Sequence, residues 1–347
     1  MSELTTVGLD LAKRVVQLHG EDPSGQVVER RTLRTERVLE FFANRPPCVV
    51  AMEACSGAHA LARQLMKLGH EPRIIAAQFV RPFRFGGKND ANDAQAVCVA
   101  VRQPHMRFVR IKTEAQQTLL ALHTLRDGLM ATRTELINRL RGLLVEFGLC
   151  FAQSPAAAIK GARAALSDEA LPLLLRETVA DCLDQLRDVE ARIARWTREI
   201  AQHVKADARA TRLHDTLSGV GPITASAFAA SVAEAGDFKN GRQFAAWLGL
   251  TPRQHSTGGK TRLGGLSKQG DGYLRTLLIQ GARSALQAAQ RSNPRQLTRL
   301  QRWMLALYAR RGYHKTLAAI ANKHARLIWV LLTSDAPLRA HERAIPA

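Results

Sequence analysis

Two runs of apolar residues at helical spacing, in the middle of the chain, constrain its fold most. Leucines recur every seven residues at Leu122, Leu129, Leu136 and Leu143. A second run, with spacings of three and four, consists of Val179, Cys182, Leu186, Val189, Ile193, Trp196 and Ile200. Such spacing places the apolar side chains of each run along one face of a helix. The sequence therefore predicts two long helices that pair as a coiled-coil helical hairpin.

This hairpin divides the 347 residues into three segments. We expect an α/β domain over 1–110, the coiled-coil hairpin over 111–205, and a mainly helical domain over 206–347. A chain of this length has room for two or three domains with cores of their own. The apolar stripe of the hairpin suits packing within the chain and an oligomerisation arm equally well, so both remain open.

The first segment alternates between strand and helix patterns. The patterns predict two short strands within 4–19 broken at Ala12-Lys13, a third strand over 26–33, a helix near 37–44, a strand over 48–52, a helix over 58–68, a strand over 72–76 and a helix over 90–101. Three hairpin-connected strands followed by alternating helices and strands is the order of an RNase H-like fold.

The positive charge of the chain is concentrated in its last third. The chain carries 50 Lys and Arg against 30 Asp and Glu, a net charge of +20. Residues 241–347 hold 18 basic residues and three acidic ones, whereas 111–240 hold 16 of each and 1–110 hold 16 basic and 11 acidic. Clustered basic side chains neutralise phosphates and release counterions, so this third is expected to bind nucleic acid. A solubilising surface, or binding to a membrane surface, is the alternative.

Several protein classes are excluded by the sequence. No apolar run approaches the roughly 20 residues needed to span a bilayer, and the N-terminus does not resemble a secretory signal. The five cysteines include no Cys-x-x-Cys pair, which argues against zinc and disulfide frameworks. We therefore expect a cytoplasmic protein with no membrane partner.

Four carboxylates in the first segment are candidate metal ligands. Asp10 lies in the first predicted strand, Glu53 ends the fourth, and Asp90 and Asp93 share one face at the start of a helix. In an RNase H-like sheet, strands one and four are neighbours, so these acids would converge. Clustered carboxylates need a cation, and Mg²⁺ prefers oxygen ligands. Each acid singly also suits a helix cap or a solvated strand end; the set together predicts a metal site.

Two glycine-containing stretches of the predicted C-terminal domain, 206–347, are candidate nucleic-acid contacts. In the flexible Gly-rich stretch 251–265, Ser256 is a hydroxyl among basic side chains, although a loop serine is usually only a hydrogen-bonding surface residue. The candidate phosphate-binding side chains are Arg253, Lys260, Arg262, Lys268 and Arg275. The turn LSGVGPITA at 217–225 suits either a tight interhelical connection or backbone amides held against a phosphate.

Motifs from both ends of the chain resemble one family. The segments GLDLAK at 8–13, MEAC at 52–55 and KNDANDA at 88–94 resemble the Asp-Glu-Asp-Asp signature of the DEDD transposases of bacterial insertion sequences. The segments AWLGLTPRQHSTGGK at 246–260 and LSKQGD at 266–271 resemble the C-terminal domain of the same family. This family is related to the pilin-gene invertase and includes the bridge recombinases, and the resemblance spans nearly the whole chain.

The resemblance implies a RuvC-like, RNase H-fold domain and a C-terminal domain that supplies a catalytic serine. It implies strand exchange on double-stranded DNA through a 5′-phosphoserine, with Mg²⁺, by a dimer or tetramer assembled on a structured guide RNA encoded by the element. Such a protein would be associated with the bacterial nucleoid. By position, Asp10, Glu53, Asp90 and Asp93 would be the catalytic, metal-binding acids. Ser256 would be the nucleophile, with Thr257 as the alternative.

Two other functions are compatible with parts of the sequence. A RuvC-like nuclease would use the same acids with water as the nucleophile, and Ser256 would then be incidental. A non-catalytic adaptor would use only the basic last third. The four acids disfavour the adaptor, because a protein that only binds nucleic acid has no need of them.

Overall fold

The computed structural model describes residues 3–87 and 89–334. The chain forms two compact units, Met1–Thr113 and Glu114–Ala347. Helices of the predicted hairpin and of the basic last third belong to the same second unit. Among the described helices, none combines the length and apolar composition that crossing a bilayer requires.

The first unit is a mixed α/β domain. Its strands are β1 (Thr6–Leu11), β2 (Val15–Glu21), β3 (Val27–Arg34), β4 (Val49–Glu53), β5 (Glu71–Ile75) and β6 (Phe108–Val109). Its helices are α1 (Val38–Ala43), α2 (Ala58–Lys67), α3 (Ala77–Val80) and α4 (Asp90–Val101). The strands and helices predicted in this segment are all present, to within about two residues at their ends.

The sheet of this unit has the strand order β3-β2-β1-β4-β5-β6 within the described residues. Strands β1, β2 and β3 pair antiparallel, whereas β4 lies parallel to β1 and β5 lies parallel to β4. The two-residue strand β6 adds an antiparallel edge that the sequence did not predict. Neighbouring β1 and β4 therefore end at the same edge of the sheet, with Leu9 opposite Met52.

The two faces of the sheet are covered by different helices. Val7 and Leu9 of β1 point into a core shared with α1 and α2, as does Met52 of β4. Ala51 of β4 instead packs in a second core with apolar residues of α4. Because side chains alternate along a strand, the residues of β1 and β4 between these core positions face α4.

Helix α4 lies unusually close to β1 because Gly8 has no side chain. A Cβ at Gly8 would lie 2.2 Å from the carbonyl oxygen of Ala94 and 2.8 Å from the amide nitrogen of Cys98. The Cys98 thiol also donates to the carbonyl oxygen of Thr6, at 3.8 Å. The helix therefore runs antiparallel to β1, with its first turn toward the strand end that carries Asp10.

Replacing Gly8 with alanine is expected to destabilise the protein by about 1–3 kcal/mol, because the added methyl forces α4 away from β1. The change in unfolding free energy can be measured by urea denaturation of the full chain. Gly87→Ala is the control, because a Cβ there meets nothing within 4 Å. It should change stability by less than about 0.5 kcal/mol. Equal midpoints for the two variants would contradict the close packing.

Over residues 114–334, the second unit is helical except for one hairpin and the connecting turns. Its helices are α5 (Glu114–Val145), α6 (Pro155–Ala165), α7 (Leu173–Ala206), α8 (Ala208–Thr216), α9 (Pro222–Ser231), α10 (Gly241–Trp247), α11 (Gly272–Arg291), α12 (Arg299–Arg311) and α13 (Tyr313–Thr333). The strands β7 (Pro252–Gln254) and β8 (Leu263–Leu266) form the two-stranded hairpin.

The two predicted long helices are α5 and α7, and they pack against each other. Their shared core contains Leu129 and Leu136 from the heptad series of α5 and the second series from Val179 to Trp196. Leu122 is only half-buried, and His123 beside it is buried instead. The connection between the two helices contains α6, which begins after the N-cap Ser154 and was not predicted.

The glycine turn between α8 and α9 is built for close helix packing. Gly219 has a φ of +87°, and a Cβ there would lie 2.2 Å from the carbonyl oxygen of Gly281 on α11. A Cβ at Gly281 would in turn lie 2.2 Å from the carbonyl oxygen of Gly219. Of the two interpretations of this turn, the structure therefore supplies direct evidence for the tight interhelical connection.

Candidate functional site

Two of the four predicted acids lie side by side at one edge of the sheet. Asp10 follows Leu9 on β1 and Glu53 follows Met52 on β4, and Leu9 and Met52 are paired across these parallel strands. Both acids lie on the face covered by α4, because they alternate with core residues of the opposite face. Each is half-buried.

The other two acids begin the helix that covers this face. Asn89 caps α4 by accepting a hydrogen bond from the amide of Asn92, so Asp90 and Asp93 occupy its first turn. From Asp90 to Ala94 the helix rises about 6 Å, which is close to the distance that β1 covers from Gly8 to Asp10. Since Ala94 lies over Gly8, the turn that begins with Asp90 lies over the end of β1 at Asp10.

An arginine neutralises one of these acids. Arg84 Nη1 donates to Asp93 Oδ1 at 3.2 Å, and both side chains are mostly shielded from solvent. Arg84 follows the short helical turn that comes after α3. The sequence predicted neither α3 nor this turn. Asp93 therefore has a cationic partner within the protein, whereas Asp90 is exposed.

The charges of Asp10 and Glu53 act together on a nearby thiol. The pKa of Cys55 is raised, first by loss of solvation and then by repulsion from Asp10 and Glu53. A thiol two residues beyond Glu53 thus experiences both carboxylates, which agrees with their placement at one sheet edge. The edge is a region of concentrated negative charge in an otherwise basic protein.

The four acids fit Mg²⁺ by donor type and by location, since all are oxygen donors around one sheet edge. Nevertheless, among residues 3–87 and 89–334, no three Asp, Glu, His or Cys side chains lie close enough together to hold a metal ion. The structure thus brings Asp10 and Glu53 onto one edge and places the first turn of α4 over them. It does not assemble the four into a finished metal site.

The Gly-rich stretch around Ser256 is a β-hairpin, which the sequence did not predict. Gln254 on β7 pairs with Leu263 on β8, and Thr257 pairs with Lys260 at the tip. Gly258 and Gly259 form the two-residue turn with φ of +54° and +76°. Positive φ at both central positions is typical of a type I′ hairpin turn, which only glycine and a few polar residues adopt easily.

Ser256 projects from this hairpin one residue before its tip. Its Oγ accepts a hydrogen bond from Gln254 Nε2 at 2.9 Å, and the amide of Arg262 lies 3.4 Å away. The side chain is exposed, and the hairpin itself contains no acidic residue. Ser256 therefore has neighbours that fix its position, but no carboxylate within the hairpin to remove its proton.

The hairpin projects from a tightly packed base. Every residue from 252 to 265 is exposed, whereas Gly249 and Gly270 at the base approach other backbone atoms closely. A Cβ at Gly270 would lie 1.9 Å from the carbonyl oxygen of Trp247. A two-stranded hairpin without a core is marginally stable alone. Its exposed arm is therefore suited to contact another molecule.

The five predicted phosphate-binding side chains differ in their surroundings. Lys260, Arg262 and Lys268 are exposed. Arg253 lies 3.4 Å from the carbonyl oxygen of Ser267 and is also exposed. Arg275 instead donates to the carbonyl oxygen of Leu248 at 3.0 Å and is half-buried at the hairpin base. Arg275 and Arg253 therefore both contact backbone carbonyl oxygens near the hairpin base.

A buried polar network links the first long helix to the core of the serine-bearing part of the unit. His123 on α5 is hydrogen-bonded to Tyr273 Oη and to Ser226 Oγ, each at 3.0 Å. Burial lowers the pKa of His123 to about 4 and raises the pKa of Tyr273 to about 12. Both groups stay neutral near pH 7 and hold α5 in one register against α9 and α11. This network was not predicted, although a histidine among the leucines of one helix face is a sequence signal for a buried polar contact.

Sequence comparisons assign the two ends of the chain to the same kind of protein. The profile of the family described as "Transposase IS116/IS110/IS902 family" matches residues 211–298. A second transposase profile, of the DEDD type from IS110 elements, matches residues 7–148. The first match covers the Ser256 hairpin, and the second covers all four acids.

A full-length relative decides the assignment. A probable family 20 transposase of Pseudomonas aeruginosa is 48% identical over 336 residues, which is 96% of this chain and 98% of the relative. This chain belongs to the IS110/IS116 family of insertion-sequence transposases. The transposase is also 37% identical to the transposase of element IS1328 from Yersinia enterocolitica, over 96% of this chain and 98% of that one. It is 38% identical to the transposase of IS1111A from Coxiella burnetii, over 98% and 92%.

Membership makes this transposase a DNA-binding enzyme that moves an insertion sequence. The net positive charge of the chain, which predicted nucleic-acid binding, agrees with this membership. The adaptor interpretation was wrong, because the protein is an enzyme of DNA transposition.

Proposed function

We propose that this transposase exchanges DNA strands through a covalent 5′-phosphoserine at Ser256, with Mg²⁺ bound by Asp10, Glu53, Asp90 and Asp93. The observation that carries the proposal is the placement of Ser256. Its exposed hydroxyl lies on a basic, acid-free hairpin, where phosphate is attracted but no local base is present.

The reaction at Ser256 forms one phosphoester bond for each phosphoester bond that it breaks. Its Oγ attacks the phosphorus, an Oγ–P bond forms, and the bond from phosphorus to the 3′-oxygen breaks. The serine proton leaves to a carboxylate, and the departing 3′-oxygen takes up a proton to become a hydroxyl. The 3′-hydroxyl of a partner strand then reverses the step and restores the serine. No external energy source is required, because the phosphoester bond is conserved.

The basic side chains of the hairpin stabilise the charge that develops on the phosphate. Lys260 belongs to the tip, and the amide of Arg262 lies 3.4 Å from Ser256 Oγ, so both residues can approach the same phosphate as Ser256. Preorganised cations act strongly where charge develops in the transition state. Arg275 would contribute from the base of the hairpin, which it also holds in place through its hydrogen bond to the carbonyl oxygen of Leu248.

The acids contribute at the sheet edge. Asp10 and Glu53 would hold the metal from adjacent strands, and Asp90 and Asp93 from the first turn of α4. When bound, Mg²⁺ supplies Lewis-acid stabilisation of phosphate oxygens and lowers the pKa of a coordinated hydroxyl. Asp93 would exchange its Arg84 partner for the metal, and the released guanidinium would be available to a phosphate. We further propose that this sheet has the RNase H-like, RuvC-like arrangement, to which the order of its strands corresponds.

The remaining parts of the proposal concern assembly. We propose that residues 1–110 hold the metal site, that 111–205 form a coiled-coil arm for a dimer or tetramer, and that 206–347 present the serine. A structured RNA encoded by the element would pair with donor and target DNA. The basic last third supports binding of such a polyanion. The protein would then be associated with the nucleoid.

A strand-exchange reaction tests the proposal. Purified transposase, Mg²⁺, DNA carrying the element ends and the non-coding RNA from the flanks of the element are incubated with target DNA. Joined donor–target strands, and their loss with a chelator, are the expected result. Cut but unjoined strands with a 5′-phosphate would instead indicate the RuvC-like nuclease, in which water attacks.

A further inference from the structure

The corner between α12 and α13 combines partly exposed aromatic rings with several exposed basic side chains. A single residue, Gly312, connects the two helices, and its φ of +74° allows the abrupt change of direction. We call the side chains around it the aromatic corner: Tyr308, Arg310, Arg311, Tyr313, His314 and Lys315. This corner lies outside residues 211–298, which match the family profile of the C-terminal part.

The rings of the aromatic corner lie edge to face. The centroids of Tyr308 and Tyr313 are 6.4 Å apart, and those of Tyr313 and His314 are 5.4 Å apart, with interplanar angles of 83° and 74°. An edge-to-face pair covers only one face of one ring, and both tyrosines are more than one-third exposed. Part of each tyrosine is therefore accessible to another molecule.

The charge of the aromatic corner has no acidic counterpart nearby in the sequence. Residues 272–334 contain 11 Lys and Arg and no Asp or Glu. Arg310, Arg311 and Lys315 are exposed and flank the aromatic rings along the chain. Such a surface repels other basic proteins and attracts a polyanion.

The combination of rings and charges selects one form of polyanion. Bases in a duplex are stacked on each other and present only their edges, whereas unpaired bases offer their faces to aromatic side chains. We propose that the aromatic corner binds single-stranded DNA, with bases stacked on Tyr308 and Tyr313 and phosphates held by Arg310, Arg311 and Lys315. It would hold an unpaired strand while strands are exchanged at the separate Ser256 hairpin. The proposal rests on DNA being the substrate of this transposase, and not on the identity of its nucleophile.

Binding by the full-length protein tests this proposal. The anisotropy of a fluorescein-labelled 20-nucleotide oligo-dT and of a labelled 20-base-pair duplex gives two dissociation constants. The double variant Tyr308→Leu/Tyr313→Leu should weaken oligo-dT binding by about tenfold or more, because each stacked base contributes through its aromatic partner. Duplex binding should change less than about twofold. Tyr308→Phe/Tyr313→Phe should restore oligo-dT binding, because phenylalanine keeps the stacking face.

A matched pair of charge variants separates the corner from general basicity. Arg310→Ala/Arg311→Ala and Arg291→Ala/Arg295→Ala each remove two exposed arginines, but the second pair precedes α12, at the opposite end of that helix. The corner pair should weaken oligo-dT binding more, and should reduce the slope of log K against log salt by about 1.4, because two phosphates are no longer neutralised.

Three results would overturn the proposal. The first is that Tyr308→Leu/Tyr313→Leu binds oligo-dT as tightly as the unmodified protein. The second is that this variant loses as much affinity for the duplex as for oligo-dT. The third is that it loses affinity only for a single-stranded RNA oligonucleotide. The binding measurement requires no cleavage, so it can be repeated in Ser256→Ala. A failure of the phosphoserine mechanism would therefore not affect it, and a failure of the aromatic corner would leave the joining chemistry intact.

Discussion

Ser256→Ala is expected to abolish strand joining and the covalent protein–DNA complex, lowering the rate by at least about 10⁴-fold. The alanine cannot form the phosphoester. Apart from the hydroxyl itself, the substitution removes only the hydrogen bonds from Gln254 and Arg262 within an exposed hairpin. DNA affinity and unfolding free energy should therefore change little. Gel separation of covalent complexes and joined products measures the effect.

Thr257→Ala is the matched control for this substitution. Thr257 is the adjacent hydroxyl in the same hairpin and pairs with Lys260 at its tip. Its removal should reduce the rate modestly, because the turn loosens while the nucleophile remains. The reverse pattern, with Thr257→Ala inactive and Ser256→Ala active, would assign the nucleophile to Thr257. Full strand cutting by Ser256→Ala without any adduct would contradict the covalent mechanism altogether.

Asp10→Asn is expected to produce the second large loss, about 10³-fold in the joining rate at saturating Mg²⁺. Metal ions contribute several kcal/mol to stabilising phosphoryl transfer, and about 1.4 kcal/mol corresponds to tenfold. The amide is nearly isosteric but lacks the charge that a divalent cation requires. Initial rates over a range of Mg²⁺ concentrations measure both the maximal rate and the metal dependence. Glu53→Gln should behave in the same way.

Glu71→Gln provides the control for charge removal in the same unit. Glu71 begins β5, at the end of that strand far from Asp10 and Glu53, and it pairs with the half-buried Arg73. This substitution removes the same charge without affecting the proposed metal ligands, so its rate should stay near that of the unmodified protein. If Asp10→Asn were as active as Glu71→Gln, Asp10 would not be a metal ligand.

Much of the α/β part of the fold was predictable because apolar runs and turn residues mark its elements. Strand β4 is a short apolar run, helix α2 has an apolar face at 3.6-residue spacing, and α4 was predicted with its observed ends, Asp90 and Val101. Strand β6 has two residues and exists only because β5 pairs with it. Such short edge strands leave no periodic signal.

The Ser256 hairpin was missed for a related reason. Its residues are all exposed, so no alternation of apolar and polar side chains marks its strands. The Gly258-Gly259 pair is a hairpin turn signal, but the flanking residues are polar instead of alternating apolar ones. The turn chemistry alone determines this hairpin.

The sequence predicted that Asp10 and Glu53 lie next to each other, and the structure places both at one edge of the sheet, with the first turn of α4 over them. That these two acids bind metal together with Asp90 and Asp93 stays a prediction. The pairing of Asp93 with Arg84 depends on a turn after α3 that has no sequence signature. The closeness of α4 to β1 depends on Gly8, whose role is evident only when the facing helix is known.

The measurement that tests the central claim most directly is the site and polarity of the DNA attachment. A DNA substrate nicked beside the cleavage position loses its 3′-hydroxyl fragment, so the reverse reaction is prevented and the covalent complex accumulates. Trypsin cuts after Arg253 and Lys260 and releases the peptide 254–260, which contains Ser256 and Thr257. After nuclease digestion, fragmentation mass spectrometry should find a nucleotide linked through its 5′-phosphate to Ser256. An adduct on Thr257, a 3′-phosphate linkage, or no adduct while strands are still joined would contradict the account.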